Sequence, residues 1–338
     1  MLRKVQANNF YSQEKEEFLL ENDFEKIHAY KLKQTGQVVF EYEIDCNLGE
    51  GNQVEITQIT DVHLNYVLDE ELTDEEIFET KKHRLWLANA ESLPSLQGAL
   101  EGAIHSDLTV ITGDILDYLS KGAMKLMKEN IFDKYPKVLC TAGGHELTKQ
   151  MQTGKMDKLP LPDRVKILQD FWNCDFYYEK RLVGKKVLAV AINNGFGYYF
   201  DHQIKKLSAD IETARKEGKI ILIFQHEPLS TKKESDSLVN AFYFAYGNPT
   251  QMNFYNRKNR IGYFGSDVEI NNKMVDLITS NADVIKGIFV GHLHSGYYTE
   301  INACYFSNEK KIDAKIPQIV APGNPYFERG CFVRIKIS

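Results

Sequence analysis

Val54-Glu-Ile-Thr-Gln-Ile-Thr60-Asp61-Val62-His63 decides how this chain is read. Its first seven residues are rich in apolar and β-branched side chains and predict a strand over Val54 to Thr60. Asp61 and His63, two residues that bind cations, then stand where the strand stops. Outward from this stretch the same plan recurs. Strand Leu108 to Thr112 delivers Gly113-Asp114, and strand Lys137 to Thr141 delivers Gly143-Gly144-His145-Glu146. Strand Lys219 to Phe224 ends at His226, and strand Val284 to Val290 ends at Gly291-His292-Leu293-His294. Helical patterns separate these strands: His83 to Ile104, interrupted near Pro94, then Ala123 to Phe132, Asp201 to Glu217 with Asp201 as candidate N-cap, and Val268 to Asn281. Phe176 to Val183 and Lys185 to Asn193 read as a hairpin pair, as does Phe24 to Tyr42 around Gln34-Thr35-Gly36-Gln37.

Open α/β sheets place ligand sites at the carboxyl ends of strands, where loops converge on a rigid scaffold. All five blocks occupy such positions. Each supplies carboxylate oxygen or imidazole nitrogen, donors that suit Mn, Fe or Zn. A single Asp-x-His or Gly-Asp pair occurs by chance in many chains, but five blocks in order are specific.

That order resembles the calcineurin-like metallophosphoesterase superfamily, whose pattern runs DxH, GD, GNH followed by Asp or Glu, H, then GHxH. The resemblance covers roughly residues 54 to 306. It implies an α/β fold, a four-layer αββα sandwich of two mixed β-sheets flanked by helices. It also implies hydrolysis of a phosphate mono- or diester at two divalent or trivalent metal ions. Phosphate anions repel an incoming nucleophile, so two cations neutralise the oxygens and bring a water's pKa near neutrality. By the resemblance Asp114 bridges the ions, Asp61, His63 and His294 complete the first, and His226 and His292 belong to the second. His145 lies over the substrate and assists the leaving group, a general-acid role suited to imidazole. Glu146 orients the loop. His292 and His294 share a face if their segment stays extended.

Gly144 departs from the pattern. The family's Asn donates a side-chain oxygen to the second metal there, and glycine offers none. Three readings follow: weak occupancy of the second site with residual activity, another donor such as Asn65, or a retired site serving as a scaffold. Asp117, three residues past Asp114, reads equally as an outer support of the site or as a helix N-terminal acid. His28, His83, His105 and His202 match no block and read as structural or solvent-facing.

Residues 1–50 read as a β-rich N-terminal extension packed on the core, and residues 51–338 as the metallophosphoesterase domain. Within it, 231–266 is a candidate lid or specificity insertion, holding Phe242, Tyr243, Phe244 and Tyr246 with Arg257 and Arg260 as candidate anion grips.

The composition of the 338-residue chain is that of an ordinary globular protein, 43% hydrophobic and 26% charged. A net charge of −6 opposes the broad electrostatic grip a nuclease needs, so a small phosphate ester or nucleotide-like substrate is favoured over nucleic acid. No apolar run approaches the roughly 18 residues of a membrane helix, and no signal peptide is read. Five scattered cysteines without CxxC spacing suit a cytoplasmic protein with reduced thiols. Nothing in the sequence bears on oligomeric state.

Overall fold

The computed structural model describes residues 27–33, 35–84, 92–147, 161–172, 175–195, 199–230, 253–254, 268–294, 296–327 and 329–338. In chain order the strands are β1 (Ile27–Lys31), β2 (Val38–Ile44), β3 (Val54–Ile59), β4 (Leu108–Thr112), β5 (Leu139–Thr141), β6 (Tyr178–Val183), β7 (Val187–Ile192), β8 (Ile220–Phe224), β9 (Leu229–Ser230), β10 (Asn253–Phe254), β11 (Ile285–Val290), β12 (Tyr297–Ser307), β13 (Lys310–Val320) and β14 (Cys331–Ile337). The helices are α1 (Glu75–His83), α2 (Ser92–Gly102), α3 (Lys121–Met127), α4 (Leu161–Phe171), α5 (Asp201–Glu217) and α6 (Val268–Thr279).

Two six-stranded sheets form, ordered β1-β2-β14-β3-β4-β5 and β12-β13-β11-β8-β7-β6. In the first, β3, β4 and β5 run parallel, while β14 lies antiparallel to β3 and parallel to β2. In the second, β7, β8, β11 and β13 run parallel, with β6 and β12 as antiparallel edges. Both sheets are mixed, and the N-terminal hairpin β1–β2 extends the first sheet through β14.

The period-two alternation of side chains separates the layers. Ile56, Val110 and Leu139 of the first sheet pack with Ala189, Leu222, Phe224 and Phe289 of the second. Their neighbours Ile59, Ile111 and Cys140 face outward onto Leu96, Ala99, Ala123 and Leu168 of α2, α3 and α4. On the far side, Ile221, Ile223 and Ile288 pack against Leu207, Ile211, Met274 and Ile278 of α5 and α6. The result is the αββα sandwich. Its central strands are apolar on both faces because both faces are covered.

Several local readings change. His83 ends a helix rather than starting one: Asp74 caps α1, its Oδ1 accepting from the backbone N–H of Glu76 at 2.9 Å. Pro94 does not interrupt α2, because it stands in the first turn, where a backbone N–H has no intrahelical acceptor to lose. The α5 N-cap is Phe200 and not Asp201; the Phe200 N–H donates to Gln203 Oε1 at 2.8 Å. The helix from Ala123 widens into a π turn over Lys128–Phe132. Except for Asn253–Phe254, residues 231–266 lie outside the described residues, as do residues 24–26 at the start of the predicted hairpin. Among the described residues no helix is long and apolar enough to cross a membrane.

Phe289 is fully buried between the sheets and stacks on Phe224 with ring centroids 5.1 Å apart. Phe289→Ala is expected to cost about 3–5 kcal/mol of stability, read as a lowered denaturation midpoint.

Candidate metal centre

Asp61, His63, Asp114, His292 and His294 all have positive φ, between 48° and 71°. For residues with a Cβ this left-handed conformation is disfavoured, at about 1–3 kcal/mol each, and it persists only where the surroundings impose it. Here the loops at the strand ends bind one another. Asp61 N–H donates to Gly113 O at 3.1 Å, His63 N–H to Asp114 O at 2.8 Å and Gly291 N–H to His226 O at 3.0 Å. Gly113 itself sits at φ +82°, and a Cβ there would lie 2.6 Å from His226 Nδ1, so only glycine lets the two loops close.

The five blocks thus converge. Asp61, His63, Asp114 and His294 each bring one ligand atom within 4.8 Å of the others, and Asp114, His226 and His292 do the same. Asp114 is common to both groups. His292 and His294 do not share an extended face. The left-handed turn, with Leu293 N–H bonded to Gly291 O at 2.9 Å, sends His292 to His226 (Nδ1 to Nε2 3.2 Å) and His294 to His63 (Nε2 to Nε2 3.0 Å).

Hydrogen bonds on the far side of two rings fix which nitrogen faces inward. His63 Nδ1 lies 3.2 Å from the Asp117 carboxylate, and His226 Nδ1 lies 2.8 Å from the Thr112 carbonyl oxygen. Both oxygens accept, so each ring carries a proton on Nδ1 and faces Nε2 into the site. The buried Asp61 Oδ1 has no well-placed hydrogen-bond donor and lies 3.1 Å from His294 Nε2. Converging acceptors of this kind fit a cation.

Charge at the site follows the same logic. Burial alone would push Asp61 and Asp114 up. The neighbouring His294 outweighs it for Asp61, held at about 2, and His145 and His226 hold Asp114 well below the usual carboxylate range. Burial lowers His63 to about 4, and burial together with His226 lowers His292 to about 3, leaving both neutral and able to ligate. For His226 burial opposes protonation, but Asp114 and Asp61 overcome it and raise the ring to about 10. Between these carboxylates the protein itself recruits a positive charge.

Two further carboxylates organise the loops. Glu146 is fully buried and accepts from four backbone N–H groups, those of Asp114, Ile115, Leu116 and Gly143, tying the second block to the third. Burial and then Asp114 raise its carboxyl to about 7, against the pull of the amide donors. Asp117 is also buried and outside any helix. It takes hydrogen bonds from Arg84 Nε and Nη2, from Asn65 Nδ2 at 2.9 Å and from His63. Burial would raise it, but His145, His63 and Arg84 hold it well below the carboxylate range. His145 rests its Nδ1 on the Asp117 carbonyl oxygen at 2.7 Å and keeps Nε2 3.8 Å from Asp114 Oδ2.

Asn65 is not the replacement donor. Its Nδ2 donates to Asp117 at 2.9 Å and its Oδ1 accepts from Tyr118 Oη at 3.0 Å, which orients the amide toward the first cluster's surroundings. His28, His105 and His202 are exposed, and the His83 side chain lies outside the described residues. Arg84 and Tyr326, whose Oη lies 2.7 Å from His294 Nδ1, went unread in the sequence because neither belongs to a block.

The sequence pattern described as calcineurin-like phosphoesterase matches residues 54–296, and the chain belongs to that family. No curated protein matches it in sequence. Among solved structures it is similar to a dimetal phosphatase from Danio rerio, at 12% identity over 80% of this chain and 87% of that one, TM-score 0.43. It is also similar to a putative 5′-nucleotidase from Staphylococcus aureus in complex with alpha-ketoglutarate, at 14% identity over 85% and 51% of the two chains, TM-score 0.40. A purple acid phosphatase from seeds of yellow lupin (Lupinus luteus) aligns at 11% identity over 91% and 48%, TM-score 0.40.

A cation that ligates His226 Nε2 must displace the proton held there up to about pH 10. Ion uptake at the His226–His292 pocket is therefore expected to release about one proton per ion between roughly pH 6 and 9 and to tighten with rising pH, by as much as about tenfold per unit. Calorimetric titration with Mn²⁺ in buffers of different ionisation enthalpy measures both effects.

Proposed function

We propose that the chain is a metal-dependent phosphoesterase that hydrolyses a small phosphate mono- or diester. One observation carries the reading: the single carboxylate of Asp114 is common to two clusters of ligand atoms built from both sheets. In this reading Asp61, His63, Asp114 and His294 hold the first ion, and Asp114, His226 and His292 hold the second, with Mn, Fe or Zn suited to the nitrogen and carboxylate donors. When bound, two such ions neutralise phosphoryl oxygens and lower the pKa of water to near neutrality.

The protein's own residues supply the rest. Asp117 fixes the His145 ring through its carbonyl oxygen, so Nε2 is the atom that can carry a proton to the departing oxygen. Burial disfavours the imidazolium, but Asp114 and then Asp117 outweigh it and raise the His145 pKa, which keeps that proton available near neutral pH. Glu146, through four amide bonds, holds the loop that carries His145 at its working distance from Asp114.

The net charge of −6 favours a small ester or nucleotide-like substrate over nucleic acid, and Cys46, Cys140, Cys304 and Cys331, which form no disulfide among the described residues, suit a cytoplasmic setting. We assign residues 231–266 as the segment that selects the substrate.

A second reading, a weakened enzyme or metal-binding scaffold, is favoured by Gly144 alone. Among the described residues its backbone has space for a side chain: a Cβ would meet the Gly195 carbonyl oxygen at 3.2 Å and no other described atom within 4 Å. Gly144→Asn can therefore be accommodated with a shift of a few tenths of an ångström, returning an oxygen donor to the second pocket. It is expected to raise affinity for the second ion by about 10–100-fold. Both forms are assayed on aryl phosphate mono- and diesters with added Mn²⁺, before and after chelation. Hydrolysis that chelation abolishes, stronger in Gly144→Asn, supports the enzyme; no hydrolysis and no bound ion in either form refutes it.

A further inference from the structure

We infer that Tyr326 is a positioning residue for the first ion pocket, and that residues 321–326 form a sixth element of the site. The inference rests on the reading that Asp61, His63, Asp114 and His294 hold an ion. His294 is the one ring of that pocket whose outward nitrogen meets a hydroxyl: Tyr326 Oη lies 2.7 Å from His294 Nδ1, with the ring centroids 5.0 Å apart. A hydroxyl can accept from Nδ1–H, and in that tautomer Nε2 turns a lone pair toward His63 Nε2 at 3.0 Å and Asp61 Oδ1 at 3.1 Å.

The segment is built to present this group. Asn324 N–H donates to Thr60 O at 3.0 Å, immediately before Asp61. The buried Asn324 amide donates to Ser95 O in α2 and to Cys331 O in β14, at 3.3 and 3.1 Å. Pro325 stands within the short 3₁₀ turn Asn324–Tyr326 and stiffens it. Gly323 makes room for the aromatic ring: a Cβ there would lie 2.7 Å from Tyr326 Cδ2 and 2.8 Å from Cε2, and 3.5 Å from Asp61 Cβ. The tyrosine, 46% exposed, thus rests one face of its ring on Gly323 and sets its hydroxyl on His294. Its position joins the N-terminal block that carries Asp61 to the C-terminal block that carries His294.

The test isolates the first pocket in a His292→Ala background, which removes a donor from the second pocket only, and titrates the protein with Mn²⁺ alone by calorimetry. Tyr326→Phe keeps the ring on Gly323 and deletes the hydroxyl. It is expected to weaken the single remaining ion by about 10–100-fold, the usual cost of losing an outer hydrogen-bond partner. Nitrogen-15 chemical shifts of His294 in the metal-free protein are expected to move, since its Nδ1 loses a partner. Gly323→Ala, which pushes the ring away, is expected to reproduce the loss, yet to add little in a Tyr326→Ala background, because coupled residues are non-additive. Ion affinity and His294 shifts unchanged in Tyr326→Phe would overturn the inference, and so would a rise in KM with ion affinity intact, which marks a substrate contact instead. A His292→Ala protein that binds no Mn²⁺ while the unmodified protein binds one or more would also overturn it. An unmodified protein that binds none refutes the metallophosphoesterase reading itself, and this inference falls with it.

Discussion

Asp114 is the carboxylate on which the rest of the site depends. Burying an ionised carboxyl is expensive unless it is paired and hydrogen-bonded, and Asp114 is both. Its Oδ1 accepts from the His145 N–H at 3.1 Å, and its Oδ2 faces His226 Nε2 at 3.2 Å. Its own N–H is spent on Glu146 at 3.2 Å. His145 and Glu146 belong to the third block and His226 to the fourth, so the position of one carboxylate registers the second, third and fourth blocks against each other. The loops from the two sheets meet there. Two further buried acids, Asp61 and Glu146, stand close enough to influence it, and the imidazoles of His145, His226 and His294 counter the negative charge. A cluster of this composition suits a cation.

The left-handed backbone at five of the six proposed ligands has to be sustained by something outside the loops. That support is the sandwich. The strands carrying the blocks lie side by side in register within each sheet, with Ile59 opposite Ile111 and Phe289 opposite Phe224. Their inward faces are locked by Ile56, Val110, Leu222 and Phe224, all fully buried. A well-packed interior resists small displacements, so the strand ends hold still while the turns beyond them stay strained. Strain at the ligands and rigidity in the core are two sides of one arrangement.

How much of this is legible in sequence follows from the range of each interaction. The strand and helix alternation is local, and it places β3, β4, β8 and β11 to within a residue or two of their ends. The blocks are legible because ligand types are few and their order specific. Period arguments lapse where the backbone leaves the regular state: a shared face for His292 and His294 is conditional on an extended segment, and the left-handed turn found instead is held by the Asp61 carboxylate, which accepts the His292 N–H at 2.9 Å from 231 residues away. Asn65 as a spare donor failed for a similar reason, since Asp117 and Tyr118 claim it through tertiary contacts. Arg84 carries no motif, yet it is nearly fully buried and pairs with Asp117. Pairing of that kind is chosen by the fold and leaves no local signature.

The two pockets are unequal in a way that goes beyond the missing side chain at Gly144. In the first, His63 is kept neutral by burial and held by a carboxylate that is itself fixed by Arg84, so its ligand nitrogen is ready without loss of a proton. In the second, His226 keeps its proton between Asp114 and Asp61, and an incoming cation has to displace it. Donor count favours the first pocket as well, four residues against three. Both effects act in the same direction, so under the proposed reading the first ion is expected to bind more tightly than the second. His145, on the loop that carries Gly144, sets its ring against His63 of the first pocket, with centroids 4.6 Å apart. The group proposed to protonate the leaving oxygen is therefore fixed by Asp117 from the stronger side, and its geometry does not depend on the pocket that fills last.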